Sequence, residues 1–205
     1  MTRVYFVRHA QPEHDWEEDR TRPLTEEGKK DSAIVLEFLK DKKIDAFYCS
    51  PYKRSMDTIA EAADFFTKEI ITDERLRERE KGLDGNNHGM FRKRWADHNY
   101  HEEGGESIAM VQKRNIEALN EILSDNTDKD IVIGTHGTAL STILNFYDNS
   151  FGCEEFLRII DWMPYIIELD FESSCNELEF ECPSYSFKLI GKQEHCYIEK
   201  EFKGK

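Results

Sequence analysis

Val4-Tyr5-Phe6-Val7 is an apolar, β-favouring run that stops at Arg8-His9. It predicts a buried strand over about residues 3–8. Polar and charged positions fill Pro12 to Pro23, which reads as a surface loop. Leu24-Thr25-Glu26-Glu27-Gly28 opens a helix, with Thr25 as N-cap and glutamates in the first turn, where the helix dipole favours anions. Ala33, Leu36 and Leu39, widened by Ile34, Val35 and Phe38, form its apolar stripe, and it ends near Lys42. Ala46-Phe47-Tyr48-Cys49 predicts a short strand. Ser50-Pro51 then starts a helix to about Phe66, with serine at N-cap and proline at N1. Ile70-Ile71 reads as another short strand.

Residues 73–105 are charged and glycine-containing, and predict irregular structure with a helical piece around Phe91–Asp97. From Glu106 to Leu123 the pattern is amphipathic, with Ile108, Val111, Ile116, Leu119 and Ile122 on one face. A second apolar strand, 131–135, ends at His136-Gly137, and a helix over 137–147 follows. Residues 165–171, 177–181 and 185–190 read as strands. Strand–helix alternation over the first 150 residues predicts a three-layer α/β/α fold with a mainly parallel central sheet. With no linker-like segment, the 205 residues read as one domain, 171–205 being a β-rich C-terminal extension.

Composition narrows the partners. The formal charge of −14 repels nucleic-acid phosphates and anionic lipid, so neither is an expected partner. It also repels an anionic substrate, so local arginines must invert the field at any phosphate site. No apolar run approaches the roughly 18 residues of a membrane span. Met-Thr-Arg and the short strand after it do not read as a signal sequence. The five cysteines are odd in number and lack CxxC spacing, which fits thiols in a reducing cytosol and a cytoplasmic location. His88, His98 and His101 are irregularly spaced, and no metal site is expected there.

Four segments carry chemistry. Arg8-His9 and Thr135-His136-Gly137 each end an apolar strand, and in open α/β sheets ligands bind at C-terminal strand ends. Ser50-Pro51-Tyr52-Lys53-Arg54-Ser55-Met56-Asp57-Thr58 puts an arginine on the first turn of a helix, where unpaired backbone N–H groups favour anions. Leu76-Arg77-Glu78-Arg79-Glu80-Lys81-Gly82 holds a carboxylate among cations. Together these suit phosphoryl transfer. One histidine attacks phosphorus, and two arginines bind the equatorial oxygens. The second histidine donates to the same oxygens. The carboxylate protonates the leaving alkoxide and then deprotonates water.

In this order and spacing, with Leu24-Thr25-x-x-Gly28 and Gly105-Glu106-Ser107, the motifs resemble the histidine phosphatase superfamily in its phosphoglycerate mutase-like branch. The resemblance covers roughly residues 3–170 and implies that fold. It implies His9 as a nucleophile forming a phosphohistidine, and Arg8 and Arg54 as phosphate ligands. Glu78 becomes the acid/base, and His136 both catalytic and phosphate-binding. It implies no metal, no cofactor, and a small phosphorylated metabolite as substrate. Glu106 and Ser107 correspond to the pocket rim, and Gly137 adjoins His136, so these three are candidate substrate contacts. Arg92 and Arg94 fall where family members build substrate-selecting walls. Asp15 stands where the mutases have an asparagine that bonds the phosphoryl group.

Gly105 follows Glu78 by only 27 positions, so the long mutase insertion with its paired arginines is largely missing. A short, open wall favours hydrolysis over phosphoryl retention. A metal-independent phosphatase is therefore expected. The alternatives are mutase-type transfer and a weakly catalytic relative that binds a phosphorylated ligand. The tail after Ser173 packs on the sheet edge or on a second subunit, which leaves a homodimer open.

Overall fold

Successive residues of the first strand, β1 (Thr2–Arg8), enter opposite cores. Val4 and Phe6 join one buried cluster, while Tyr5 and Val7 join another. This is the period-two consequence of a strand covered on both faces. The computed structural model describes residues 1–174 and 186–200. In chain order, β1 is followed by α1 (Glu26–Asp31), α2 (Ala33–Leu39), β2 (Ala46–Cys49), α3 (Lys53–Phe65) and β3 (Ile70–Thr72). Then come α4 (His88–Ala96), α5 (Ile108–Asp125), β4 (Asp130–Thr135), α6 (Gly137–Tyr147), α7 (Cys153–Ile159), β5 (Trp162–Ser174) and β6 (Ser186–Glu199).

Among the described residues the strands form one sheet in the order β3-β2-β4-β1-β5-β6. The pairs β1/β4, β2/β4 and β2/β3 are parallel, and β1/β5 and β5/β6 are antiparallel. The register aligns Arg8 with Thr135 and Cys49 with Gly134. The residues just past these strand ends, His9, Ser50 and His136, therefore emerge side by side. Helices α4 to α7 supply one core with Trp95, Ile108, Leu119, Leu140 and Phe156. Helices α2 and α3 supply the other with Val35, Leu39 and Ile59. The expected three layers and mainly parallel sheet are present. No helix among the described residues is long and apolar enough to cross a membrane.

Several element boundaries differ from the sequence reading. The helix expected from Thr25 to Lys42 is two helices, α1 and α2, meeting at Ser32, whose hydroxyl donates back to Lys29 O at 2.7 Å. Thr25 does cap α1, accepting from Gly28 N at 2.8 Å. A Cβ on Gly28 would meet Gln11 O at 2.2 Å, so glycine lets the loop after β1 lie against this helix. Helix α3 begins at Lys53, not at Ser50-Pro51, and Ser50 is not its cap. Helix α4 starts earlier than expected because Asn87 caps it, accepting from Met90 N. Helix α5 starts after Ser107, whose hydroxyl accepts from Met110 N, which puts Glu106 outside the helix. Strands β5 and β6 are longer than the runs that predicted them. The strand expected at 177–181 lies outside the described residues.

Candidate active site

The C-terminal ends of β1, β2 and β4 meet at a cavity of about 190 Å³. Its lining includes Arg8, His9, Arg54 and Glu78, together with His14, Asp19, Arg22, Arg79, Lys81, Asn86 and Met163. Five cations face two carboxylates there, so the pocket inverts the sign of an otherwise acidic protein.

His9 is 5% exposed, and its Nδ1 lies 2.8 Å from Ala10 O. A carbonyl oxygen only accepts, so Nδ1 carries the proton and Nε2 keeps its lone pair. Burial holds the His9 pKa well below the usual imidazole value, helped by the nearby Arg54 and Arg8 charges. His9 is thus a neutral imidazole with a lone pair, which is what nucleophilic attack requires.

His136 packs edge-on to His9, with ring centroids 5.2 Å apart. It is fully buried, and burial first, then Arg54, lowers its pKa as well. Its Nε2 lies 2.7 Å from Ser50 Oγ. Its Nδ1 is buried with no hydrogen-bond partner, as is Arg8 Nε. Buried polar atoms left this way cost about 1–3 kcal/mol each, a penalty that an arriving acceptor relieves. A phosphoryl group brings three acceptor oxygens.

Arg8 Nη1 donates to Ile159 O at 2.6 Å. Burial pulls its pKa down to about 10, opposed by Glu78 and Asp161, so it stays cationic at neutral pH. Gly137 lies over this guanidinium, and an added Cβ would sit 3.2 Å from Arg8 Cζ. Arg54 donates to Asp19 O at 2.7 Å and Asp19 Oδ1 at 3.2 Å, and its pKa is lowered chiefly by burial. Thr58, on the next turn, bonds Arg54 O and accepts from Ala10 N, tying α3 to the His9 loop.

Glu78 reaches across to the N-terminus of α6. Its Oε1 accepts from Arg79 N at 2.7 Å and Ala139 N at 3.2 Å, and its Oε2 from Thr138 N at 3.1 Å. A carboxylate offers about four lone-pair sites. Three are taken, which leaves one on Oε2 without a backbone donor.

The structure thus brings together Arg8, His9, Arg54, Glu78 and His136, although His136 stands behind the lining rather than in it. The doubtful candidates fare differently. Asp15 is not at the phosphate site. A turn joining Trp16 N to Glu13 O carries it outward, beside Trp16, Pro23 and Lys29. Arg92 is exposed and paired with Glu154 on α7, away from the cavity. Arg94 is 1% exposed and does not line the pocket, because it is bound to Glu102, Asn86 Oδ1 and Gly85 O. Glu106 is a buried hub for Arg77, Arg114 and Glu80 N, and Ser107 caps α5. Gly137 acts through Arg8. Among the described residues no group of three or more His, Cys, Asp and Glu side chains is placed to hold a metal.

The sequence reading missed Asp19, Arg22, Lys81, Asn86 and Ser50. Asp19, Arg22 and Asn86 sit in loops, where no periodicity marks an inward face. Ser50 stands before Pro51, a pattern that fits a helix cap equally well.

The profile of the histidine phosphatase superfamily (branch 1) matches residues 4–160. Phosphoserine phosphatase 1 of Hydrogenobacter thermophilus is 29% identical over 154 residues, covering 66% of this chain and 71% of that protein. A mycobacterial glucosyl-3-phosphoglycerate phosphatase structure superposes with a TM-score of 0.71 at 18% identity, covering 91% of this chain and 96% of the other. A phosphoserine phosphatase mutant from Entamoeba histolytica, in complex with phosphoserine, gives 0.71 at 20% identity, covering 94% and 96%. At such identities the structural likenesses speak for the fold. The profile spans well over half of the sequence, and the chain belongs to the histidine phosphatase superfamily, branch 1.

Proposed function

We propose that this enzyme hydrolyses a small phosphomonoester whose alcohol part bears a carboxylate, through a phosphohistidine on His9. The observation that carries the reading is the fixed tautomer of His9, held by Ala10 O at 2.8 Å at the floor of a cation-rich cavity. His9 Nε2 attacks phosphorus, and the P–O ester bond breaks. Glu78, protonated at Oε2, gives its proton to the leaving alkoxide. The Nδ1–H bond to Ala10 O spreads the positive charge that forms on the ring. Arg8, Arg54 and His136 Nδ1 hold the equatorial oxygens. Glu78, now ionised, takes a proton from water, whose oxygen attacks phosphorus. The N–P bond breaks, its electron pair returns to Nε2, and inorganic phosphate leaves.

Two further features support the substrate class. The cavity is below the about 300–1,000 Å³ of sites for drug-sized ligands, which suits a short-chain alcohol. Arg8 and Arg54 serve the phosphoryl group, and Lys81 and Arg22, the latter paired with Asp19 at 3.1 Å, add further positive charge to the same lining, where five cations face two carboxylates. Arg22 Nε is buried with no hydrogen-bond partner. A second anion near the ester answers that surplus, and phosphoserine, named for two of the relatives, has one. The thiols of Cys49, Cys153 and Cys196 are free, which fits a cytoplasmic setting.

The test is phosphate release from a phosphomonoester panel in EDTA, wild type against His9→Ala. Rapid quenching with labelled substrate should trap an acid-labile, alkali-stable label on the wild type alone. Turnover that survives in His9→Ala overturns the assignment.

A further inference from the structure

The lining that holds His9 also contains Asn86, a half-buried residue of the loop between Glu78 and α4. Its side-chain orientation is decided by its neighbours. Arg79 Nη2 and Arg94 Nη1 each donate to Asn86 Oδ1 at 3.0 Å. Both guanidinia are buried, and Arg94 also grips the preceding carbonyl, Gly85 O, at 2.6 Å. A guanidinium has only donors. Turning the amide over would set its NH₂ against two cationic donors, so one of the two orientations is excluded. The oxygen faces the arginines, and the Nδ2 hydrogens are the end left for the cavity. Among the described residues nothing accepts from Nδ2. Arg22 and Lys81 belong to the same lining.

We propose that Asn86 is a specificity-determining residue that donates its Nδ2 hydrogens to the carboxylate on the substrate's alcohol part. The two arginines serve as its anchor rather than as substrate ligands. The neutral amide supplies direction where Arg22 and Lys81 supply charge. A site built to donate hydrogen bonds discriminates against an analogue lacking the acceptor, because its donors are then left unpaired. The inference rests on the phosphatase reading above and adds a named donor to it.

Phosphoserine and phosphoethanolamine share the ester and the amine and differ by the carboxylate, so the ratio of their kcat/KM values isolates this contact. The wild type should favour phosphoserine by about tenfold or more. Asn86→Asp keeps the oxygen that Arg79 and Arg94 bind but presents an acceptor to the cavity, and the ratio should fall to near one. Asn86→Ala, which adds no charge, should lower it in the same direction. A ratio unchanged in both variants overturns the proposal, as does a wild type with no preference.

A second measurement covers variants that fail to fold. In His9→Ala protein, the Asn86 side-chain ¹⁵NH₂ resonances should shift with phosphoserine and stay in place with phosphoethanolamine. Equal shifts with both ligands overturn the assignment. Absence of wild-type turnover of both esters and of p-nitrophenyl phosphate is a separate result, and it would sink the phosphatase reading itself.

Discussion

Two buried imidazoles held neutral should make the stability of this fold depend on pH over a defined window. The folded-state pKa values of His9 and His136 both lie well below 6.5. The unfolded chain takes up these two protons near 6.5, while the folded chain holds them off. Stability from this source is fully present above that pH and is lost as pH falls through it. For one such histidine the loss between about pH 7 and pH 5.5 is roughly 1.2 kcal/mol, and for the pair roughly 2.5 kcal/mol. For a chain of this size that is a fall in Tm of about 5–10 °C. Carboxylates also contribute to acid destabilisation, so the readout is a comparison. Calorimetry at matched ionic strength should give a steeper decline for wild type than for His9→Gln or His136→Gln, and the double variant should be flattest. Inorganic phosphate should reduce the wild-type decline, because a bound anion offsets the Arg8 and Arg54 charges that oppose protonation. An identical slope in wild type and double variant would refute the account.

Other consequences are measurable with single variants. Glu78→Gln should lose about 10²–10⁴ in kcat on alkyl phosphates and far less on p-nitrophenyl phosphate, whose leaving group needs no proton; equal losses on both would remove Glu78 as the acid. Gly137→Ala should weaken inorganic phosphate inhibition several-fold, since its Cβ would press on Arg8 at 3.2 Å. Glu102→Ala leaves Arg94 and Arg79 buried without their carboxylate, and denaturant melts should show a loss of about 3–5 kcal/mol.

The parts of this fold that were legible in the sequence share a physical cause. Val4–Val7 and Ile131–Ile133 are covered on both faces, so they are apolar without interruption, and the polar residue that ends each run marks a strand end. Arg8 closes the first of these strands, and His9 and His136 follow the two strand ends. The break at Ser32 was hidden because the apolar period runs on through it. Strand β6 was underestimated because Lys188, Lys192, Gln193 and Glu194 interrupt its pattern, as expected of a sheet edge. Ser50 was misassigned because Ser-Pro before a helix fits a cap equally well. Only its 2.7 Å approach to His136 shows that the hydroxyl is used elsewhere.

The substrate wall was illegible for a different reason. Arg92 and Arg94 looked alike as a pair, yet two residues on a helix point about 200° apart. Phe91 and Trp95 mark the buried face of α4, and Arg94 lies on that side while Arg92 faces solvent. The helical period could therefore have separated them. It could not have shown that Arg94 ends at Asn86, because Asn86 lies in the irregular segment before α4, where Arg79 of the same segment binds the same oxygen. On the proposal above, what the wall offers a substrate depends on which end of the Asn86 amide faces inward. The sequence supplies the amide, and only the convergence of two buried guanidinia selects its donor end. On the Asn86 proposal, substitutions at Arg94, which stands outside the cavity lining, should alter substrate preference more than phosphate affinity.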